Sequence, residues 1–274
     1  MDTPHRRYVD LSAMLSGVDL YQTKPLGCSE DFYDPEAIAG TPDGRFCGRW
    51  TVDETAQMLS DTGCLARWQS YGFSKIWVEL PNNTPNRHTL EVWTQTDTGS
   101  ELLLQLVVWL DYIRIYRLRA AYPAFCVEHL RLQRPGIAPG PNSLPGQGFA
   151  SSGLLRNVFG MIKNMACALG AALITEIPEY FHTAYLFSEF FVFADAEMER
   201  IFRAAKRDLM AHGAKLGDVS RAFETGNVIW KGQPYLWPTE FQVCALSHEL
   251  AHQLAIPADQ IEPEPFKIRQ IPKA

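Results

Sequence analysis

Three stretches of this chain carry residue types whose spacing could do chemistry. The first is a loop of glycines and prolines, QRPGIAPGPNSLPGQGFASSG over residues 133–153. It leads from a strand-like run into a helical one. Such a connection presents backbone N–H groups at the positive end of a helix dipole, where a phosphate can sit. The second is a pair of proton-transfer candidates. Glu128 lies in the strand-like FCVEHLRL of residues 125–132, on the same face as Cys126 and Leu130. Partial burial there would raise its carboxyl pKa and suit it as a base; an edge-facing or salt-bridged glutamate is the other reading. His182 stands near the start of a helical run, where the dipole holds an imidazole neutral and able to accept a proton, or where it caps or packs.

The third stretch is His248-Glu249-Leu250-Ala251-His252, a complete H-E-x-x-H. On a helix the two imidazoles fall one turn apart on one face, where both can bind zinc while Glu249 serves as base for a bound water. The flanks suit such a helix, with Thr239 and Gln242 as caps and Phe241, Val243, Leu246, Leu250 and Leu254 as its apolar side. The sequence that follows, QLAIPADQ, lacks the further histidine that would complete a catalytic zinc site. A surface motif without metal is the competing reading.

The elements that must position these residues are legible from periodicity. Leu154, Leu155, Val158, Ile162, Met165 and Leu169 recur at helical spacing and stop at Gly170, a natural residue to end a helix. Residues 171–177, AALITEI, form a short apolar run closed by Pro178, as expected of a buried strand, and a second helix is expected over residues 180–190. Upstream, residues 76–80, 88–96 and 101–110 alternate as strands, with Asp97-Thr98-Gly99-Ser100 as turn chemistry between the last two. Residues 120–123 are expected to be irregular. Thr51 and Glu54 stand at capping-box spacing before a helix. Helices are also expected over residues 197–211 and in LGDVSRAFETG, and NVIW and PYLW could pair as a hairpin around Lys231-Gly232. The domain reading is a helical region over residues 1–70, a core over residues 75–237, and a C-terminal helix with an irregular tail over residues 238–274.

Bulk properties exclude some classes. With 46% apolar residues and 12% aromatics over 274 residues, the chain can bury a sizeable core, so disorder is not expected. A net charge of −6 argues against general nucleic-acid binding. Arg114, Arg117 and Arg119, interleaved with Tyr112 and Tyr116, form the densest basic run and read as a solvated strand face. No secretory signal or membrane span is indicated. The six scattered cysteines read as reduced thiols, so a cytoplasmic protein is expected. The acidic run SEDFYDPEAIAGTPDG reads as a solvated connector, since its spacing does not fit an EF-hand loop.

Three antiparallel strands, a fourth strand, a Gly-rich loop, a helix, a fifth strand and a helix is an order that resembles the GNAT acyltransferase superfamily over residues 75–193. In that family the loop after the fourth strand carries Q/R-x-x-G-x-G/A, whose amides hold the pyrophosphate of acetyl-CoA. The corresponding run here is Gln147-Gly148-Phe149-Ala150-Ser151-Ser152-Gly153, with Ala150 and Ser152 where the pattern has Gly and Gly/Ala. The run EYFHTAYLFSEFFVF is similar in character to the family's N-x-x-A-x-x-L-Y. Phe187 stands where the tyrosine that protonates the leaving thiolate would be, which leaves Tyr185 as substitute. The resemblance implies an α+β fold with a mixed, mostly antiparallel sheet and flanking helices. It further implies transfer from acetyl-CoA or another acyl-CoA to a small-molecule or peptide amine, with Glu128, His182 and Tyr185 as catalytic candidates. Leu130, Leu132, Gln147, Gly148, Ser151, Ser152, Gly153 and Leu154 would contact the cofactor. The alternatives are a zinc-dependent hydrolase working through His248, Glu249 and His252, and an inactive GNAT-like scaffold that binds a protein partner or a second copy of itself.

Overall fold

The structure, a computed structural model, describes residues 44–81, 87–138, 140, 144–148, 152–211, 214–257, 260–261 and 264–269. The acidic run before Gly44, Cys28, and Phe149, Ala150 and Ser151 of the glycine-rich loop lie outside the described residues. The fold mixes helices with mostly antiparallel strands, and it divides into two units.

The first unit draws on Met1–Asp111, Pro123–Ile137 and Phe149–Ala171. Helix α1 (Val52–Asp61) begins with the expected capping box: the Thr51 side chain accepts from the Glu54 amide, and the Glu54 carboxylate accepts from the Thr51 amide. Together these satisfy two otherwise orphaned donors of the first turn. Helix α2 (Cys64–Ser70) follows Gly63, and its buried side carries Cys64, Leu65 and Trp68. Strands β1 (Ile76–Glu79), β2 (Arg87–Thr96), β3 (Gly99–Ile115) and β4 (Ala120–Leu132) come in that order across the sheet. The turn Asp97-Thr98 closes β2 onto β3 with Thr96 opposite Gly99, as the turn chemistry predicts. Helix α3 (Leu155–Ala168) buries Val158, Phe159, Met161, Ile162, Met165 and Ala166. It stops where expected: Gly170 has φ +71, and the amides of Gly170 and Ala171 bond back to Cys167 and Ala166.

The stretch at residues 120–123 is a correction. It belongs to β4, preceded by a single 3-10 turn at Tyr116–Leu118 and by Arg119 at φ +53. Pro123 suggests a break to a reader of the sequence, yet a proline's fixed φ is compatible with extended backbone.

The second unit draws on Tyr112–Tyr122, Ala138–Gly148 and Ala172–Ala274. It contains β5 (Leu173–Glu176), α4 (Phe181–Phe187), β6 (Val192–Phe193), α5 (Ala196–Leu209), α6 (Leu216–Glu224), β7 (Val228–Trp230), β8 (Gln233–Pro234), β9 (Gln242–Ala245), α7 (His248–Leu254) and β10 (Lys267–Ile268). Strand β9 lies between β5 and β6 and pairs antiparallel with both. The expected hairpin forms, with Lys231 and Gly232 both at positive φ between β7 and β8, and β10 adds a third strand to it. The core of this unit is aromatic. Phe181 stacks on Phe223 at 4.8 Å, and Trp237 meets Phe181, Phe193, Phe202 and Phe223 edge-on or tilted.

Two sequence expectations fail in this unit, for one reason. Residues 242–245 form a strand, not the first turn of a long helix, and α7 starts only at His248, capped by Ser247. Arg117 is no solvated strand residue: its guanidinium donates to the carbonyls of Leu254 and Phe193, fastening the end of α7. Arg203 donates to the Ile256 carbonyl nearby and pairs with buried Glu199 at 2.7 Å. Tertiary partners, absent from any local window, override the local pattern in both cases.

Candidate functional sites

In the first unit, the start of α3 is the arrangement closest to a ligand site. Leu154 sits at the N-cap position of this 14-residue helix and its side chain makes no capping hydrogen bond. Ser152, two residues earlier, is 2% exposed, and its Oγ has no hydrogen-bond partner among the described residues. Its carbonyl accepts from the Tyr71 hydroxyl at 2.8 Å, tying the entry of the helix to the end of α2. Gly153 takes φ +66, and a side chain begun there would meet the Tyr71 hydroxyl at 3.7 Å and an Arg67 nitrogen at 3.9 Å. Around the same tyrosine two cations gather, Arg134 at 4.0 Å from the ring centroid and Arg67 at 5.1 Å. Neither has an acidic partner among the described residues. A helix start whose N-cap is an apolar leucine, a buried hydroxyl and two arginines within one neighbourhood favour an anion with several oxygens.

Of the sequence-derived cofactor residues, Ser152, Gly153 and Leu154 are therefore part of this cradle, and Leu130 and Leu132 are half-buried on β4 of the same unit. Ser151 lies outside the described residues. Gln147 and Gly148 belong to the second unit, and Gln147 is spent on its own turn. Its amide donates to the Leu144 carbonyl, and its side-chain oxygen accepts from the Leu144 amide. Gly148 is exposed, while Gly146 in the same turn has φ +72 with the Tyr180 hydroxyl 3.1 Å from where a Cβ would stand.

Glu128 takes the salt-bridged alternative. It is exposed, and Arg87 grips both carboxylate oxygens at 2.8 Å, a two-pronged pair. The Arg87 hydrogen bonds hold its carboxyl below the usual range, so the expected upward shift is reversed. His182 is 6% exposed in α4, with Nδ1 2.8 Å from the Ser220 hydroxyl and its ring stacked on Tyr180 at 5.1 Å. Burial drives its pKa down to about 4, so the imidazole is neutral at pH 7, but it is a weak base there. Tyr185 is half-buried against Phe181, with the Lys206 ammonium 5.1 Å from its ring centroid.

The H-E-x-x-H residues do share one side of α7. His248, Glu249 and His252 are exposed while Leu250 and Leu254 turn inward. Among the described residues no third histidine, cysteine, aspartate or glutamate joins them in a metal-sized group.

Sequence reasoning missed Arg67, Tyr71 and Arg134, which come to the α3 start from α2 and from the residues after β4. It also missed Glu176 and Gln242, which face each other across β5 and β9. Nothing local marks the arginines; the signal for Glu176 was an acidic residue closing an apolar strand. No helix among the described residues is long and apolar enough to cross a membrane. Compared with protein-family models the chain matches none, and no curated protein is significantly similar to it.

Proposed function

We propose that this chain is an N-acyltransferase that takes an acyl group from coenzyme A, working in the cytoplasm on an amine. The observation that carries the reading is the α3 start: a helix with an apolar N-cap residue, the buried Ser152 hydroxyl, and Arg67 and Arg134 about Tyr71. A pyrophosphate offers acceptor oxygens to all of these at once. The succession of β1 to β4, a loop, α3, β5 and α4 supports the same reading, because it is the order on which the GNAT resemblance rests. Transfer also needs a base and a group to protonate the leaving thiolate. Tyr185 is the candidate donor. For the base, Glu128 would first have to part from Arg87, and His182 would act as the weakly basic neutral imidazole.

Calorimetric titration with acetyl-CoA tests the reading. Wild-type protein is expected to bind, and Arg67→Ala and Arg134→Ala are each expected to weaken binding by about tenfold, the cost of one charge-assisted phosphate contact. Absence of heat at millimolar acetyl-CoA would overturn the proposal and leave the inactive-scaffold reading in its place.

A further inference from the structure

Glu176 and Gln242 are an unusual pair of neighbours. They stand directly opposite each other on β5 and β9, so both side chains leave the same face of the sheet. Glu176 is 8% exposed and Gln242 fully buried. Even so, Glu176 Oε1 and both polar atoms of the Gln242 amide lack a hydrogen-bond partner among the described residues. An unmatched buried polar atom is costly, and buried polar atoms are nearly always matched. Other buried groups of the same unit are matched: Glu199 accepts from Arg203 and from the Phe193 amide, and His182 meets Ser220. Glu176 is the last residue of β5, and Ile177, just past the strand end, is 55% exposed.

We infer that Glu176 and Gln242 form a binding site for a primary ammonium group that carries a neighbouring acceptor oxygen. The chemistry follows from what the three atoms lack. Glu176 Oε1 and Gln242 Oε1 are acceptors, which an ammonium satisfies with two of its three protons. Gln242 Nε2 is a donor, which a carbonyl, carboxylate or hydroxyl oxygen next to the ammonium satisfies. Burial alone raises the Glu176 carboxyl, to about 8, with no basic side chain among the causes. A cationic ligand supplies the counter-charge that the protein does not. A neutral amide cannot do so, which sets the selectivity. The inference holds whether or not coenzyme A binds at α3, since it draws on a different unit and different residues.

Glycinamide, with its ammonium beside a carbonyl, is the probe, and propionamide is the neutral control of similar size. Calorimetry is expected to show glycinamide binding to the wild type, with at least tenfold weaker binding of propionamide. Glu176→Gln keeps the shape while removing the carboxyl that ionises against an ammonium, and is expected to lose glycinamide by a similar factor; Gln242→Leu is expected to weaken it as well. On the wild type itself, glycinamide is expected to shift the Gln242 side-chain NH2 resonance, a readout that needs no variant to fold. No heat with glycinamide at 100 mM, on the order of the weakest affinity worth calling a site, would overturn the inference. So would equal binding to Glu176→Gln, or a Gln242 resonance that stays still because the pair holds only water.

Discussion

At the scale of single residues, environment assigns roles that residue type leaves open. Glu128 and Glu176 are both glutamates on strands, yet their carboxyls are pushed in opposite directions. Arg87 clasps the first and stabilises its charge; burial without a partner destabilises the charge of the second. His182 illustrates the same rule for a base. Its downward shift means that the folded protein holds it neutral well below the pH at which a free imidazole gains its proton. The imidazole proton and carbon resonances of His182 should therefore stay constant from pH 8 down to about 5. A His182 resonance moving near pH 6.5 would contradict the burial argument. Replacing its partner, Ser220→Ala, should cost about 1 kcal/mol in a denaturant unfolding measurement, the net value of one buried hydrogen bond.

At the scale of elements, signals made by neighbours in sequence held, and those that depend on distant partners did not. Helix α1 carries its own start signal in Thr51 and Glu54, and α3 its own stop in Gly170, because caps are made by neighbours in sequence. Strand β9 has no such signal. Gln242 would suit a cap and Val243 a helix face, but β5 on one side and β6 on the other claim the same residues for their ladders. The turn around Gly146 is held in a third way, by a ring pressed against a residue without a side chain. Gly146→Ala would force a left-handed φ on a residue with a Cβ and press that Cβ on the Tyr180 hydroxyl 3.1 Å away. A loss of about 1 kcal/mol or more is expected, read as a lower unfolding midpoint. An unchanged midpoint would mean that Tyr180 turns aside at no cost.

At the scale of the whole molecule, the buried titrations combine into a stability profile. Glu176 binds its proton more tightly folded, at about 8 against 4.5 unfolded, so its contribution is complete below pH 4.5 and is lost as pH rises towards 8. His182 binds its proton less tightly folded, at about 4 against 6.5, so its contribution is complete above pH 6.5 and is lost as pH falls towards 4. Between pH 4.5 and 6.5 the two slopes, each about 1.4 kcal/mol per pH unit, oppose each other. Unfolding free energy should then be nearly flat across that interval and decline from pH 6.5 to 8. Glu176→Gln should abolish the decline at the alkaline side and leave a profile that still falls in acid. Chemical denaturation at pH 5, 6, 7 and 8 for both proteins measures this, and an alkaline decline that persists in Glu176→Gln would refute the assignment.

The amino-acid sequence by itself determined what depends on near neighbours along the chain. It placed α3 and its end at Gly170, a turn within Asp97-Thr98-Gly99-Ser100 and a hairpin around Lys231-Gly232, and it assigned an apolar strand over residues 171–177, where β5 occupies Leu173–Glu176. These features arise from capping, backbone φ preference and hydrophobic period, all of which act within a few residues. Only the tertiary structure decided that Arg87 would neutralise Glu128, that Arg67 and Arg134 would gather about Tyr71 beside Ser152, and that Glu176 would face Gln242. Glu176 and Gln242 are 66 positions apart in the numbering, and Tyr71 and Ser152 are 81. Charge pairing and burial act through space, and no local pattern encodes which distant side chain will arrive.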